Sequence, residues 1–121
     1  MAQTTNTNPN DLLPLSTAVF HILLALADKS RHGYSIMKAI ETLSNGQVKM
    51  GPGTFYGGIK RLLEANLIME SDERPDPELD DERRRYYELT PFGQQVLKAE
   101  VERLSQLVRY AESQQLFGNA I

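Results

Sequence analysis

Three amphipathic stretches come first, then two short strand-like stretches around an acidic, proline-bearing segment, then one long run of helix formers. That order predicts a mainly α (α+β) fold, a winged helix-turn-helix with a long C-terminal dimerisation helix. At 121 residues the chain has material for one compact domain and an appended helix. The predicted division is a flexible N-terminal tail over residues 1–14, the winged helix-turn-helix over residues 15–90, and the dimerisation helix over residues 91–117.

Each element has its own signal. Met1 to Asn10 is Thr-, Asn- and Pro-containing, with no basic residue and no apolar core, so it reads as a disordered tail and not as a signal peptide. The first helix is predicted from about Ser16 to Ala27, with Ser16 or Thr17 as cap and Val19, Phe20, Leu23, Leu24 and Ala27 at helical spacing. Lys29 to Gly33 form a connection. The second helix runs from Gly33 or Tyr34 to Leu43 on the stripe Ile36, Ala39, Ile40 and Leu43. Ser44, Asn45 and Gly46 end it, since Asn and Gly accept the left-handed conformation after a helix. The third helix starts at Gly51-Pro52-Gly53-Thr54, where proline suits the first turn, and continues to Ala65 or Asn66. Leu67 to Glu73 and Arg84 to Leu89 read as strands, and Arg74 to Arg83 as the hairpin tip between them. Thr90-Pro91 opens the fourth helix, which extends to about Leu116.

Composition excludes several classes. No apolar run approaches the roughly 18 residues of a membrane span, and the longest, Ile22 to Ala27, is broken by Asp28, Lys29 and Arg31. Zero cysteines exclude disulfides and fit a cytoplasmic location. The net charge of −3 runs against a nucleic-acid partner until its distribution is considered. Eight acidic residues and one basic residue lie between Glu70 and Glu82, which leaves 12 basic and 8 acidic residues, a net of +4, in the remainder. Screening beyond roughly 10 Å lets a local basic surface act independently of the total.

The third helix has two faces. At 100° per residue, Phe55, Ile59, Leu62 and Leu63 fall within about 100° of one another and face a core. Gly53, Thr54, Gly57, Lys60, Arg61 and Glu64 lie opposite, with Tyr56 on the flank. Small residues at the start and cations in the following turns suit a helix that enters a major groove. A solvated charged face is the alternative for Lys60 and Arg61, and a boundary packing position is the alternative for Tyr56. Two mid-helix glycines, Gly57 and Gly58, weigh toward a close approach, because each costs about 1 kcal/mol relative to alanine. Arg83, Arg84 and Arg85 open the returning strand. Strand alternation puts Arg83 and Arg85 on one face and Arg84 on the other. They reach phosphates, or they are neutralised by Asp80, Asp81 and Glu82.

Arg31-His32-Gly33-Tyr34, Gly51-Pro52-Gly53-Thr54-Phe55-Tyr56, Lys60-Arg61-Leu62 and Asp81-Glu82-Arg83-Arg84-Arg85-Tyr86-Tyr87-Glu88-Leu89-Thr90-Pro91-Phe92-Gly93 occur in that order. In their order and spacing they resemble the PadR family of bacterial transcriptional regulators, in its short form with a single C-terminal helix. The resemblance runs from about Leu15 to the end of the last helix. It implies a homodimer that represses by covering an inverted-repeat operator in double-stranded DNA. It also implies DNA contact by Tyr34, by Thr54, Tyr56 and Lys60, and by the wing arginines. Phe55 departs from the family's leucine, and Gly57-Gly58 stands where larger residues are common.

In the last helix Leu97, Val101, Leu104, Val108 and Ala111 are spaced 4, 3, 4 and 3, a heptad-like dimer seam, widened by Val96, Leu107 and Tyr110. Folding back on its own domain explains only the first two turns of such a helix. Catalysis has no constellation: His21 and His32 are isolated, and the acidic run Asp76 to Glu82 lacks calcium-loop spacing. The chain is therefore expected not to be an enzyme and to need no metal and no cofactor. Two other readings differ in class. One is a winged-helix protein–protein module without DNA binding, which the acidic tip favours. The other is a regulator that takes a small-molecule effector in a cavity at the dimer interface. Neither involves a membrane.

Overall fold

The computed structural model describes residues 8–74 and 84–116. A 3-10 turn over Pro9–Leu12 leads into α1 (Thr17–Ala25), the two-residue strand β1 (Arg31–His32), α2 (Gly33–Leu43) and α3 (Pro52–Glu64). Strands β2 (Ile68–Ser71) and β3 (Tyr86–Leu89) follow, and α4 (Pro91–Ser113) completes the chain.

Local chemistry fixes the helix ends. Ser16 Oγ accepts from the Val19 amide at 3.2 Å and starts α1. Asn45 and Asn66 take positive φ of 55° and 63° after α2 and α3. Each is followed by an amide that bonds back five residues, Gly46 to the Glu41 carbonyl at 2.8 Å and Leu67 to the Leu62 carbonyl at 3.0 Å. These closures satisfy carbonyls that the helix ends would otherwise leave unpaired. Thr90 Oγ1 accepts from the Gly93 amide at 2.8 Å and donates to the Asn66 carbonyl at 2.6 Å, so one hydroxyl both caps α4 and ties it to the end of α3.

The sheet is antiparallel in the order β1-β3-β2. Arg31 and His32 face Tyr87 and Tyr86, and Ile68 to Ser71 pair in register with Leu89 to Tyr86. The segment read as a connection before α2 thus supplies a strand. A two-residue strand has no period of its own and exists only through its partner. The core joins Ile22 and Leu23 of α1, Ile36 and Ile40 of α2, and Phe55, Ile59 and Leu62 of α3. Ile68, Leu89 and Val96 close it from the sheet and α4.

Three expectations change. The predicted tail is shorter than residue 14, because the Pro9–Leu12 turn contacts α4 and the Leu15 amide donates to Glu100 Oε2 at 2.9 Å. Leu97, read as the first seam position, is buried in the chain's own core, so the outward apolar stripe starts at Val101. Strand alternation does not extend to Arg84 and Arg85, because β3 begins only at Tyr86. Of the hairpin tip, read as Arg74 to Arg83, Arg74 lies with its Cζ 4.7 Å over the Tyr86 ring, while the rest, with Arg83 and the acidic residues Asp76, Glu78 and Asp80 to Glu82, lies outside the described residues.

Candidate nucleic-acid interface

Helix α3 projects its first turn into open space. Gly51 caps it without a side-chain hydrogen bond, and among the described residues a β-carbon added at Gly51 or Gly53 would meet no atom within 4 Å outside its chain neighbours and its own helix backbone. Pro52 has no N–H to satisfy, and the amides that follow it point outward along the helix axis. Thr54, Lys60 and Arg61 are exposed on the side away from Phe55, Ile59 and Leu62.

The paired glycines divide between two roles. Gly58 is buried, and a β-carbon there would lie 3.3 Å from Ile22 Cδ1, so its smallness serves the packing of α3 on α1. Gly57 is half-buried on the outer flank, and its nearest neighbour for an added β-carbon is Arg61 Nη1 at 3.7 Å. Only Gly57 keeps the outward role expected of the pair.

Beside α3 lies a cleft of about 400 Å³. The start of α2 contributes His32, Gly33 and Tyr34, α3 contributes Tyr56, the segment leading into β3 contributes Arg84 and Arg85, and β3 itself contributes Tyr87. Tyr34 and Tyr56 are each about half exposed, while Tyr87 is buried. The Tyr56 hydroxyl folds across the start of α2, where a β-carbon at Gly33 would stand 2.6 Å from it. Glycine at 33 is what lets the α3 tyrosine close that corner.

His32 organises the far wall. It is buried, and its Nδ1 accepts from the Ser35 amide at 3.1 Å as the cap of α2. Arg84 Nη1 lies 3.0 Å from Nδ1 and 3.2 Å from Nε2 of the same ring. An approach so even to both nitrogens sets the guanidinium against the ring, with its Cζ 5.8 Å from the Tyr34 centroid. The His32 and Tyr34 rings are themselves stacked, 6.4 Å apart. Arg85 is exposed and pairs with Glu70 of β2 at 3.4 Å. Burial raises the pKa of the Tyr87 hydroxyl, Glu70 and Tyr56 add to the rise, and Arg85 offsets part of it.

Of the expected contact residues, the structure brings Tyr34, Tyr56, Arg84 and Arg85 to one cleft, and sets Gly53, Thr54, Gly57, Lys60 and Arg61 on the adjoining side of α3. His32, Tyr87 and Glu70 were missed. Their signal was faint: His32 lies within the Arg31-His32-Gly33-Tyr34 run, and Tyr87 follows the arginines by two positions.

A three-helix core with a hairpin wing and an extended last helix defines a winged helix-turn-helix protein. Residues 22–99 match the transcriptional regulator PadR-like family, and the chain belongs to that family. It is similar, at 36% identity over 86 residues, to an uncharacterized 37.1 kDa protein in transposon TN4556 of Streptomyces fradiae. That match covers 71% of this chain but only 22% of the Streptomyces protein's length. A PadR family transcription regulator from hypervirulent Clostridium difficile aligns with TM-score 0.64 at 24% identity, over 81% of this chain and 97% of that one. Bacillus subtilis PadR in complex with operator DNA aligns with TM-score 0.59 at 19% identity, over 71% of this chain and 47% of that one.

Proposed function

We propose that this chain represses transcription by binding an inverted-repeat operator as a homodimer, with α3 in the major groove and the wing arginines on the adjacent backbone. The observation that carries this reading is the outer side of α3. Its first turn is open, with small residues that admit close approach, and the neighbouring Lys60 and Arg61 follow about two turns later. The same disposition is what a groove-reading helix requires: a slim entry, then cations at phosphate distance. The family supports the reading, and the Bacillus subtilis relative was solved with its operator.

A mobility-shift titration against fragments from upstream of the chain's own gene tests it. Wild-type protein should retard one fragment that contains a palindrome, with binding that weakens steeply as salt rises. Reversal of charge in Lys60→Glu should weaken that complex about tenfold or more while leaving the melting temperature unchanged. Failure of wild-type protein to retard any fragment at micromolar concentration in dilute buffer would sink the proposal.

A further inference from the structure

We propose that the cleft between the starts of α2 and α3 and the beginning of β3 seats one backbone phosphate of a DNA duplex, and that Glu70 holds Arg85 until that phosphate displaces it. The inference rests on the reading of this face as a duplex-binding surface and assigns the chemistry inside it.

Two guanidiniums enter one concavity from consecutive positions. Arg84 is set against the His32 ring, so its position is fixed before any ligand arrives. His32 is in turn held by the Ser35 amide, which links the guanidinium to the first turn of α2. Arg85 is the solvent-exposed partner, with its side chain 71% exposed. Three tyrosines complete the walls. A phenol that stays protonated at neutral pH is a hydrogen-bond donor, and the surroundings of Tyr87 favour that form. Fixed and adjustable guanidiniums flanked by hydroxyls suit a phosphodiester, whose two free oxygens each accept a charge-assisted bond.

Among the described residues, Glu70 is the anion paired with Arg85 at this site. It sits on β2 directly across from Tyr87, and its carboxylate is 3.4 Å from Arg85 Nη1. Both side chains are more than half exposed, so the pair is of the weak, screened kind. A phosphate that meets both arginines and the hydroxyls has more to offer Arg85 than one exposed carboxylate. Displacement of Glu70 weakens the grip on every duplex by the same factor, whatever its sequence. Glu70 therefore lowers non-specific binding while leaving groove readout by α3 untouched.

Fluorescence-anisotropy titrations of the full chain against an operator fragment and a random-sequence duplex of equal length test the proposal. Glu70→Gln should tighten both complexes by the same factor, about two- to fivefold, the worth of an exposed ion pair. Arg85→Gln, a change at an exposed position, should weaken both and lower the salt slope by about one counterion. In the double variant Glu70→Gln/Arg85→Gln the gain should vanish. A single neutral methylphosphonate, moved along the strand, should find one linkage whose neutralisation weakens wild type but not Arg85→Gln. An unchanged affinity in Glu70→Gln, or a gain that persists without Arg85, overturns the phosphate seat while duplex binding itself stands. A wild-type chain that binds neither duplex overturns the reading of the whole face.

Discussion

At Gly93 the chain has no room for a side chain of any size. A β-carbon there would stand 2.9 Å from the carbonyl carbon of Leu67 and closer still to its oxygen. Backbone cannot turn aside as a side chain can, and the Leu67 carbonyl also accepts from the Thr90 amide at 3.2 Å. Gly93→Ala should therefore push α4 off the sheet and destabilise the fold by at least about 3 kcal/mol, read as a lowered urea midpoint. A change below 1 kcal/mol would show that α4 yields freely at this joint. Gly57 and Gly58 show what residue-level reading reaches and what it does not. Their shared helix-propensity cost pointed to a close approach, but not to which surface approaches. Gly58 meets Ile22, a residue 36 positions away, and no local pattern carries that distance. The contact set of His32 has the same origin: its ring is placed by a strand pairing with Tyr86 that only the folded chain creates. By contrast Thr54, Lys60 and Arg61 were legible, because their direction follows from helical geometry and from Phe55, Ile59 and Leu62 alone.

Among the elements, those with their own period and caps were readable: α2 and α3 begin and end within a residue or two of the positions that Pro52, Asn45 and the apolar stripes indicate. Elements that exist through a partner were not, and the N-terminal segment is the second such case after β1. It is held by Glu100, a carboxylate only 2% exposed in the middle of α4. Glu100 Oε1 accepts from Arg103 Nε at 2.6 Å, and Oε2 accepts from Arg103 Nη2 at 3.1 Å and from the Leu15 amide at 2.9 Å. A charge at a stripe position between Leu97 and Leu104 was the available signal, since a buried acid demands partners. The Arg103 hydrogen bonds hold the Glu100 pKa below the ordinary 4.5, with the Leu15 amide in support and burial in opposition. A depressed carboxylate stabilises the fold above its unfolded pKa, and that contribution disappears as pH falls through the folded value. Glu100→Gln should thus cost about 1–2 kcal/mol at pH 7. Its deficit against wild type should shrink as the pH drops below 4.5. A deficit constant down to the acid limit of folding would mean that the charge on Glu100 contributes nothing.

For the whole molecule, the decisive feature is where the buried face of α4 goes after it leaves its own domain. At 100° per residue, Gly93, Val96, Leu97, Glu100, Leu104, Leu107, Val108 and Ala111 lie within about 120° of one another. The first four are buried, yet Leu107 and Val108 on the same face are 54% and 47% exposed. The stripe is continuous while the covering by the described residues stops after about three turns. Apolar side chains that keep core spacing beyond the core gain burial only from another surface, and a second copy of α4 offers one with the same stripe. Substitution of an outward position separates self-association from folding, because such a position is exposed and lies outside the buried core of the described residues. Val108→Asp should leave the melting temperature of the protomer within a few degrees of its starting value once dimer stabilisation is removed by dilution. Sedimentation velocity should then show a monomer at concentrations where the wild-type chain is expected to dimerise. Loss of the second half-site contact should weaken operator binding by about 100-fold or more, with single half-sites bound as before. A wild-type chain that sediments as a monomer at tens of micromolar would refute the seam. A monomeric Val108→Asp variant with undiminished operator affinity would instead confine recognition to one protomer and remove any need for two recognition helices.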